Sequence, residues 1–150
     1  MNFRRFLFTF CVLVIGVGCH HRSAEDAGPT APNEALPPPT EAVLFATIQD
    51  NVKALENKDV DGVMATIHPR SPSYGSTRKM LEEMFSSIDL KFTLSDLRVI
   101  SASPTEARVA FVQKTEKVGG GHEFHDNTIE GTHILRPDMG KWKIYSTVQN

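Results

Sequence analysis

The chain has 150 residues, a hydrophobic fraction of 40%, a charged fraction of 23% and a formal net charge of −2. That is enough for one domain with its own core, and a mildly acidic chain without a Lys/Arg run carries no electrostatic footprint for nucleic acid. Its two cysteines, Cys11 and Cys19, both fall in the first nineteen residues, so the rest holds neither a disulfide framework nor a cysteine metal site.

Residues 1–19 read as an export signal. Arg4 and Arg5 supply a basic start, and Phe6 to Gly18 is an apolar run of 13 residues. A membrane-spanning helix needs about 20, so the run fits a secretory signal instead. It stops at Gly18-Cys19, directly before a polar stretch. Residues 20–40 hold Pro29, Pro32, Pro37, Pro38 and Pro39 among small and charged residues. Such a segment cannot bury a core and favours an extended chain, which at about 3 Å per residue lifts a domain several tens of Å off a membrane. His20-His21 in this segment reads as a solvated pair.

The folded part is expected over residues 41–150. Thr40 is a candidate N-cap, and Leu44, Ile48, Val52 and Leu55 recur at helical steps, with Phe45 widening the stripe. Asn57 suits a left-handed C-cap. Asp59 then caps a second helix with Val60, Val63, Met64 and Ile67 on its apolar side, ended by His68-Pro69. Arg70 to Gly75 reads as a loop, and Ser76 as the cap of a third helix carrying Met80, Leu81, Met84, Phe85 and Ile88.

From Asp89 the period changes to two. Four strands are predicted, Leu90–Ile100, Ala107–Val118, Glu123–Leu135 and Lys141–Val148, joined by short turns rich in Ser, Pro, Gly and Asp. Short connections between consecutive strands imply an antiparallel meander. Strands this long imply strong twist or curvature. Trp142 shares a strand face with Ile144, which predicts that it is buried against the helices or lines a pocket.

Two resemblances follow from these residues. The apolar run ending at Gly18-Cys19 resembles a bacterial lipoprotein signal, although Gly16 stands where that signal usually has leucine. The resemblance implies lipid attachment at Cys19 and a domain outside the cytoplasm, in the cell envelope. Three helices and a long meander, with Asp59-Val60-Asp61-Gly62-Val63 at the second helix and Gly140-Lys141-Trp142-Lys143-Ile144 in the last strand, resemble the nuclear transport factor 2-like superfamily. Its SnoaL-like and ketosteroid-isomerase-like members carry similar stretches. The resemblance covers about Glu41 to Val148. It implies an α+β domain in which three N-terminal helices pack on a strongly curved, cone-like antiparallel four-stranded meander. It also implies that the outer sheet face often makes a dimer.

Fold does not fix function. The ketosteroid isomerases use an aspartate base with a tyrosine and a protonated acid as donors. Aligned on Lys58-Asp59-Val60, the tyrosine position falls on Asn51, and the base segment is His68-Pro69-Arg70-Ser71, with no carboxylate until Glu82. Two of three roles are unfilled. His68, at a helix end before proline, is expected to face solvent, and Asn51 reads as a solvated flank of its helix. Candidate pocket residues are Asn51, Tyr74 (placed on the loop at the cone mouth), Glu130 (on a polar strand face) and Trp142. Sequence parity does not say whether Glu130, Thr132 and Ile134, or Ile129, Gly131, His133 and Leu135, face inward. His133 reads as a hydrogen-bonded core histidine. In Gly121 to Asp126, an extended strand would point His122 and His125 to opposite faces, which disfavours a metal site. No Ser/His/Asp set, phosphate loop, zinc pattern or cofactor motif is present. The leading reading is a membrane-anchored, non-enzymatic module that binds a small apolar ligand or a partner protein. A cofactor-free lyase or isomerase with a rearranged pocket, and a structural envelope dimer, are the alternatives.

Overall fold

The computed structural model describes residues 38–150. The expected signal, Cys19 and most of the proline-rich segment lie outside the described residues. The elements run α1 (Glu41–Glu56), α2 (Val60–Thr66), α3 (Tyr74–Ser87), β1 (Ile88–Ala102), β2 (Ala107–Gly120), β3 (Asn127–Asp138) and β4 (Lys141–Gln149). The strands form one antiparallel sheet in the order β1-β2-β3-β4, with the three helices on one face. This is the α+β meander that the periodicity predicts.

Several boundaries differ from the sequence reading, each for a local reason. Asn57 is not the left-handed residue at the end of α1; its φ is −82°, and Lys58 takes φ +55°. The Lys58 N–H donates to the Leu55 carbonyl and the Asp59 N–H to Ala54, the paired bonds of a Schellman end. The left-handed turn falls at Lys58 because it is the residue between these two bonds, and its ammonium donates to the Phe85 carbonyl at 2.9 Å and pairs with Asp89. Thr40 stands at the N-cap of α1, but its side chain makes no cap bond. Asp59 does cap α2, accepting from the Gly62 N–H at 2.8 Å. Ser76 does not begin α3. The helix starts at Tyr74, so Tyr74 belongs to its first turn rather than to a loop.

β1 follows α3 without a loop. It bends through three register shifts, one of them around Asp96 at φ +53°. Such bulges increase local twist and curve the strand. Gly120, at φ +88°, lies so close to Ile88 and Ser87 that a Cβ would meet their backbone. The β3–β4 turn places Met139 and Gly140 at φ +47° and +78°, the primed-turn geometry that matches strand twist. β3 begins at Asn127 rather than Glu123, because Asp126 folds back to accept the Lys117 N–H at 2.8 Å.

Two apolar clusters make the core. Leu44 and Ile48 of α1 pack on Ala107, Val109, Leu135, Trp142 and Ile144. Val52 and Leu55, farther along α1, pack with Val63, Met64, Leu81 and Phe92. The stripe read on α1 is thus buried throughout, and Trp142 is 6% exposed. At about 25 cal/mol per Å² of apolar surface, burial of this kind is what drives the helices onto the sheet.

Candidate functional site

Register decides which strand face the helices cover. Val109 pairs with His133, Phe111 with Gly131 and Ala107 with Leu135. Paired residues share a face, and Ala107, Val109, Phe111 and Leu135 are buried. The inward face of β3 is therefore Ile129, Gly131, His133 and Leu135. Glu130 is exposed on the outer face, which removes it from any pocket under the helices.

The polar groups of the inward face are paired with one another. His133 Nδ1 lies 2.7 Å from Thr147 Oγ1 on β4. Its ring stacks on Phe111, with centroids 4.1 Å apart and planes 11° apart. Gly131 makes this stack possible, since a Cβ there would meet the Phe111 ring at 3.1 Å. Gln113 and Thr115, both buried on β2, lie within a long hydrogen bond of each other at 3.4 Å. Desolvation lowers the pKa of His133 from 6.5 to about 4. At neutral pH the ring is uncharged and a weak base.

The remaining sequence candidates do not converge. Asn51 is not solvated: its side-chain amide donates to Thr66 Oγ1 at 2.7 Å, tying α1 to α2. Tyr74 packs into the second apolar cluster. Trp142 is buried under α1, where Thr47 Oγ1 donates to its carbonyl at 3.2 Å. A groove of about 380 Å³ runs beside it, lined by Val43, Thr47, Asp50, Thr66, Lys141 and Lys143 among others. A smaller cavity of about 110 Å³ lies between α1, α3 and β1, lined by Leu55, Met84, Phe85, Leu90 and Phe92, with Glu56, Lys58 and Asp89 at its polar side.

His68 departs most from expectation. It is 1% exposed, not solvent-facing. Ile67 forms a parallel bridge to Ile144, and the His68 N–H donates to the Ile144 carbonyl at 2.8 Å. The chain after α2 thus runs as a minimal fifth strand along the free edge of β4, which the sequence of a helix end before proline does not signal. Residues 122–126 form a loop rather than a strand, so the face argument against a metal there does not apply; among the described residues no group of three or more His, Cys, Asp or Glu is placed to hold a metal ion. Among them, too, no helix is long and apolar enough to cross a membrane.

Comparison with known proteins adds two findings. Residues 46–150 match the family described as the C-terminal domain of anti-sigma-I factor RsgI9. Within it, anti-sigma-I factor RsgI9 of Acetivibrio thermocellus is 29% identical over 93 residues, 62% of this chain; the chain spans 13% of that protein's length. Solved structures similar in fold include a candidate aromatic ring hydroxylase from Novosphingobium aromaticivorans, with TM-score 0.67, 12% identity, and coverage of 81% of this chain and 91% of that one. A candidate scytalone dehydratase from the same organism has TM-score 0.62 at 16% identity, covering 73% and 81%. An NTF2-like protein from Cytophaga hutchinsonii has TM-score 0.62 at 16% identity, covering 75% and 98%. At these identities the likeness is one of fold, and the fold is NTF2-like.

Proposed function

The chain belongs to the family of the anti-sigma-I factor RsgI9 C-terminal domain, and from that premise we propose that it is a non-enzymatic NTF2-like module that binds a partner protein. The observation that carries this reading is the inward face itself. Proton abstraction needs a base and a donor converging on the reacting atoms with matched pKa. Here His133 is held by Thr147 and Phe111 with a pKa near 4, and the Asn51 amide is engaged by Thr66. These groups serve cohesion between elements rather than a reaction.

The outer sheet face is the contact surface in this reading. Val112, Ile134 and Val148 stand there with Ala110 and Thr132, bordered by Arg98, Arg108 and Glu130. Val148 is 51% exposed. An apolar centre with a charged border is the usual anatomy of a protein contact, and it suits a second copy as well as another protein. The module is carried on lipid at Cys19, outside the cytoplasm. Intact-mass analysis of the membrane fraction is expected to show an acylated chain beginning at Cys19; a soluble mature form starting elsewhere removes the anchor.

Photo-crosslinking tests the binding surface. A photoreactive residue at Val112 or Ile134 is expected to trap a protein in intact membranes, whereas one at Lys79 on α3 is not. Absence of any product from both sheet positions would sink the reading. A small apolar ligand is the second reading, favoured by the cavity beside Phe85 and Phe92. At about 110 Å³ it is well below the usual ligand pocket of about 300 Å³ or more and would take a short alkyl chain or a single ring at most, while the groove of about 380 Å³ at Trp142 is large enough but lined mostly by polar and charged side chains. The purified domain is expected not to turn over a Δ5-3-ketosteroid. Turnover above the buffer rate that disappeared in Asn51→Ala or His68→Ala would put an isomerase ahead of the binding module.

A further inference from the structure

We propose that His68 is an acid-released latch that holds the chain after α2 on the free edge of β4. The bonds on this residue define its protonation. Nδ1 accepts the Arg70 N–H at 3.0 Å, so Nδ1 is unprotonated and the proton of the neutral ring sits on Nε2. Nε2 is buried and meets no group at full hydrogen-bond geometry, but the Pro137 carbonyl is near enough to favour a proton on the ring. A proton taken up from solvent has to go to Nδ1. It converts the acceptor of the Arg70 N–H into a second donor and abolishes that bond.

The surroundings do not welcome the resulting cation. Arg70 from the same segment and Lys143 from β4 both oppose it. Asp138 at the end of β3 favours it, as does the Pro137 carbonyl, but the Asp138 carboxylate is already paired with Lys143 at 2.9 Å. The Tyr145 ring meets His68 edge-on at 5.6 Å and itself carries the Arg136 guanidinium over its face at 3.8 Å; Arg136 is in turn paired with Glu106. Burial is the largest influence and lowers the pKa of His68, with Arg70 and Lys143 adding to it against Asp138 and the Pro137 carbonyl, so the neutral ring is the form that fits.

What the latch holds is specific. One edge of β4 pairs with β3 along its length. On the other, the backbone is held at two places, by the Ile67–Ile144 bridge with the His68 N–H bond and by the Thr47 hydroxyl donating to the Trp142 carbonyl. Releasing His68 detaches residues 67–73 and uncovers the β4 edge from Lys143 onward, backbone groups then open to another strand, while the Trp142 carbonyl keeps its bond from Thr47. Opening draws Ile67 away from the margin of the second cluster, where it is partly buried, but it is a local event that leaves the helices on the sheet.

Amide hydrogen exchange on the full chain tests this, at pH 7.5 and pH 5.0 after correction for the intrinsic rates. Peptides spanning 67–74 and 143–148 are expected to lose at least tenfold in protection at pH 5.0, while peptides over 107–111 keep theirs. His68→Asn retains an acceptor for the Arg70 N–H but does not titrate, and is expected to hold protection at both pH values. Equal pH dependence in His68→Asn, or none in the natural chain, overturns the latch. Should His68→Asn not fold, NMR of the natural chain decides: the His68 ring and the Arg70 and Ile144 amides titrate together if the latch exists, and at separate midpoints if it does not.

Discussion

The two halves of α1 meet different surroundings. Leu44 and Ile48 lie on strand residues contributed by β2, β3 and β4, and Leu44, Ala107, Val109 and Leu135 are all 0% exposed. Val52 and Leu55 meet α2, α3 and β1, in a cluster that includes Met64 and Met84 and borders the 110 Å³ cavity. The first region is bound by strand register, which admits one arrangement. The second is packed by helices and flexible methionines, which fill irregular space and tolerate change. One helix therefore joins a rigid end to a more deformable one. The latch at His68 joins the two regions: its neighbour Ile67 packs on the second cluster, and its partner Ile144 belongs to the first.

The largest expected effect tests this contrast directly. Trp142→Ala should cost about 3–5 kcal/mol in urea unfolding, as a large side chain removed from a tight site. Met84→Ala should fall near or below about 2 kcal/mol, the low end for a core methionine, because its site is half-buried and already loose. Equal costs would erase the difference between the two regions.

Next is His133, on the rigid sheet. Burial lowers its pKa from 6.5 to about 4. As pH falls, the unfolded chain takes up this proton first. The stabilisation from keeping His133 neutral is therefore complete above about pH 6.5 and is lost progressively as pH falls through about 4. At about 1.4 kcal/mol per pKa unit, it amounts to about 3 kcal/mol. Unfolding midpoints measured from pH 7 to pH 4 should fall in the natural chain and flatten in His133→Gln. A parallel fall in both would assign the acid sensitivity elsewhere.

A smaller effect belongs to α2. Asp59→Ala removes the cap bond to Gly62 and should cost about 1 kcal/mol. A Cβ at Gly62 would run into the Asp59 carboxylate. Gly62→Ala should therefore destabilise the natural chain more than it destabilises Asp59→Ala, and a double-mutant cycle measures that coupling. Additive costs would mean that the cap yields easily.

The smallest expected effect is at Glu106. Its pKa is lowered first by the side-chain bond from Arg136, with Arg108 adding to it. The side chain is 30% exposed, so screening leaves the pair worth under about 1 kcal/mol. Glu106→Gln should lower stability slightly at pH 7. The difference should shrink as pH falls through the folded carboxyl pKa, where Glu106 itself becomes protonated.

Much of this fold is legible in the chain because periodicity is a local property. The four-residue steps from Leu44 to Leu55, and the alternation of Val109 with Phe111 and of Trp142 with Ile144, identify the buried side of each element without reference to any other. Ends are less legible. Lys58 rather than Asn57 turns left-handed because α1 runs one residue further, to Glu56, before its two closing bonds form. Ser73, without a cap bond, stands before α3, and Ser76 lies inside it with its hydroxyl donating to the Ser73 carbonyl.

The sequence by itself determined the type and order of the elements, the helix and strand faces that carry apolar side chains, and the absence of cysteine from everything after residue 19. Only the tertiary structure decided that Glu130 faces out and His133 in, because parity names two faces of a strand and only the register with Ala107, Val109 and Phe111 chooses between them. It alone decided that Asn51 pairs with Thr66 and His133 with Thr147. It alone buried His68, whose partner Ile144 lies on the last strand. Polar groups take their partners from whatever the fold brings within hydrogen-bonding distance, and that distance is set by packing across the whole chain.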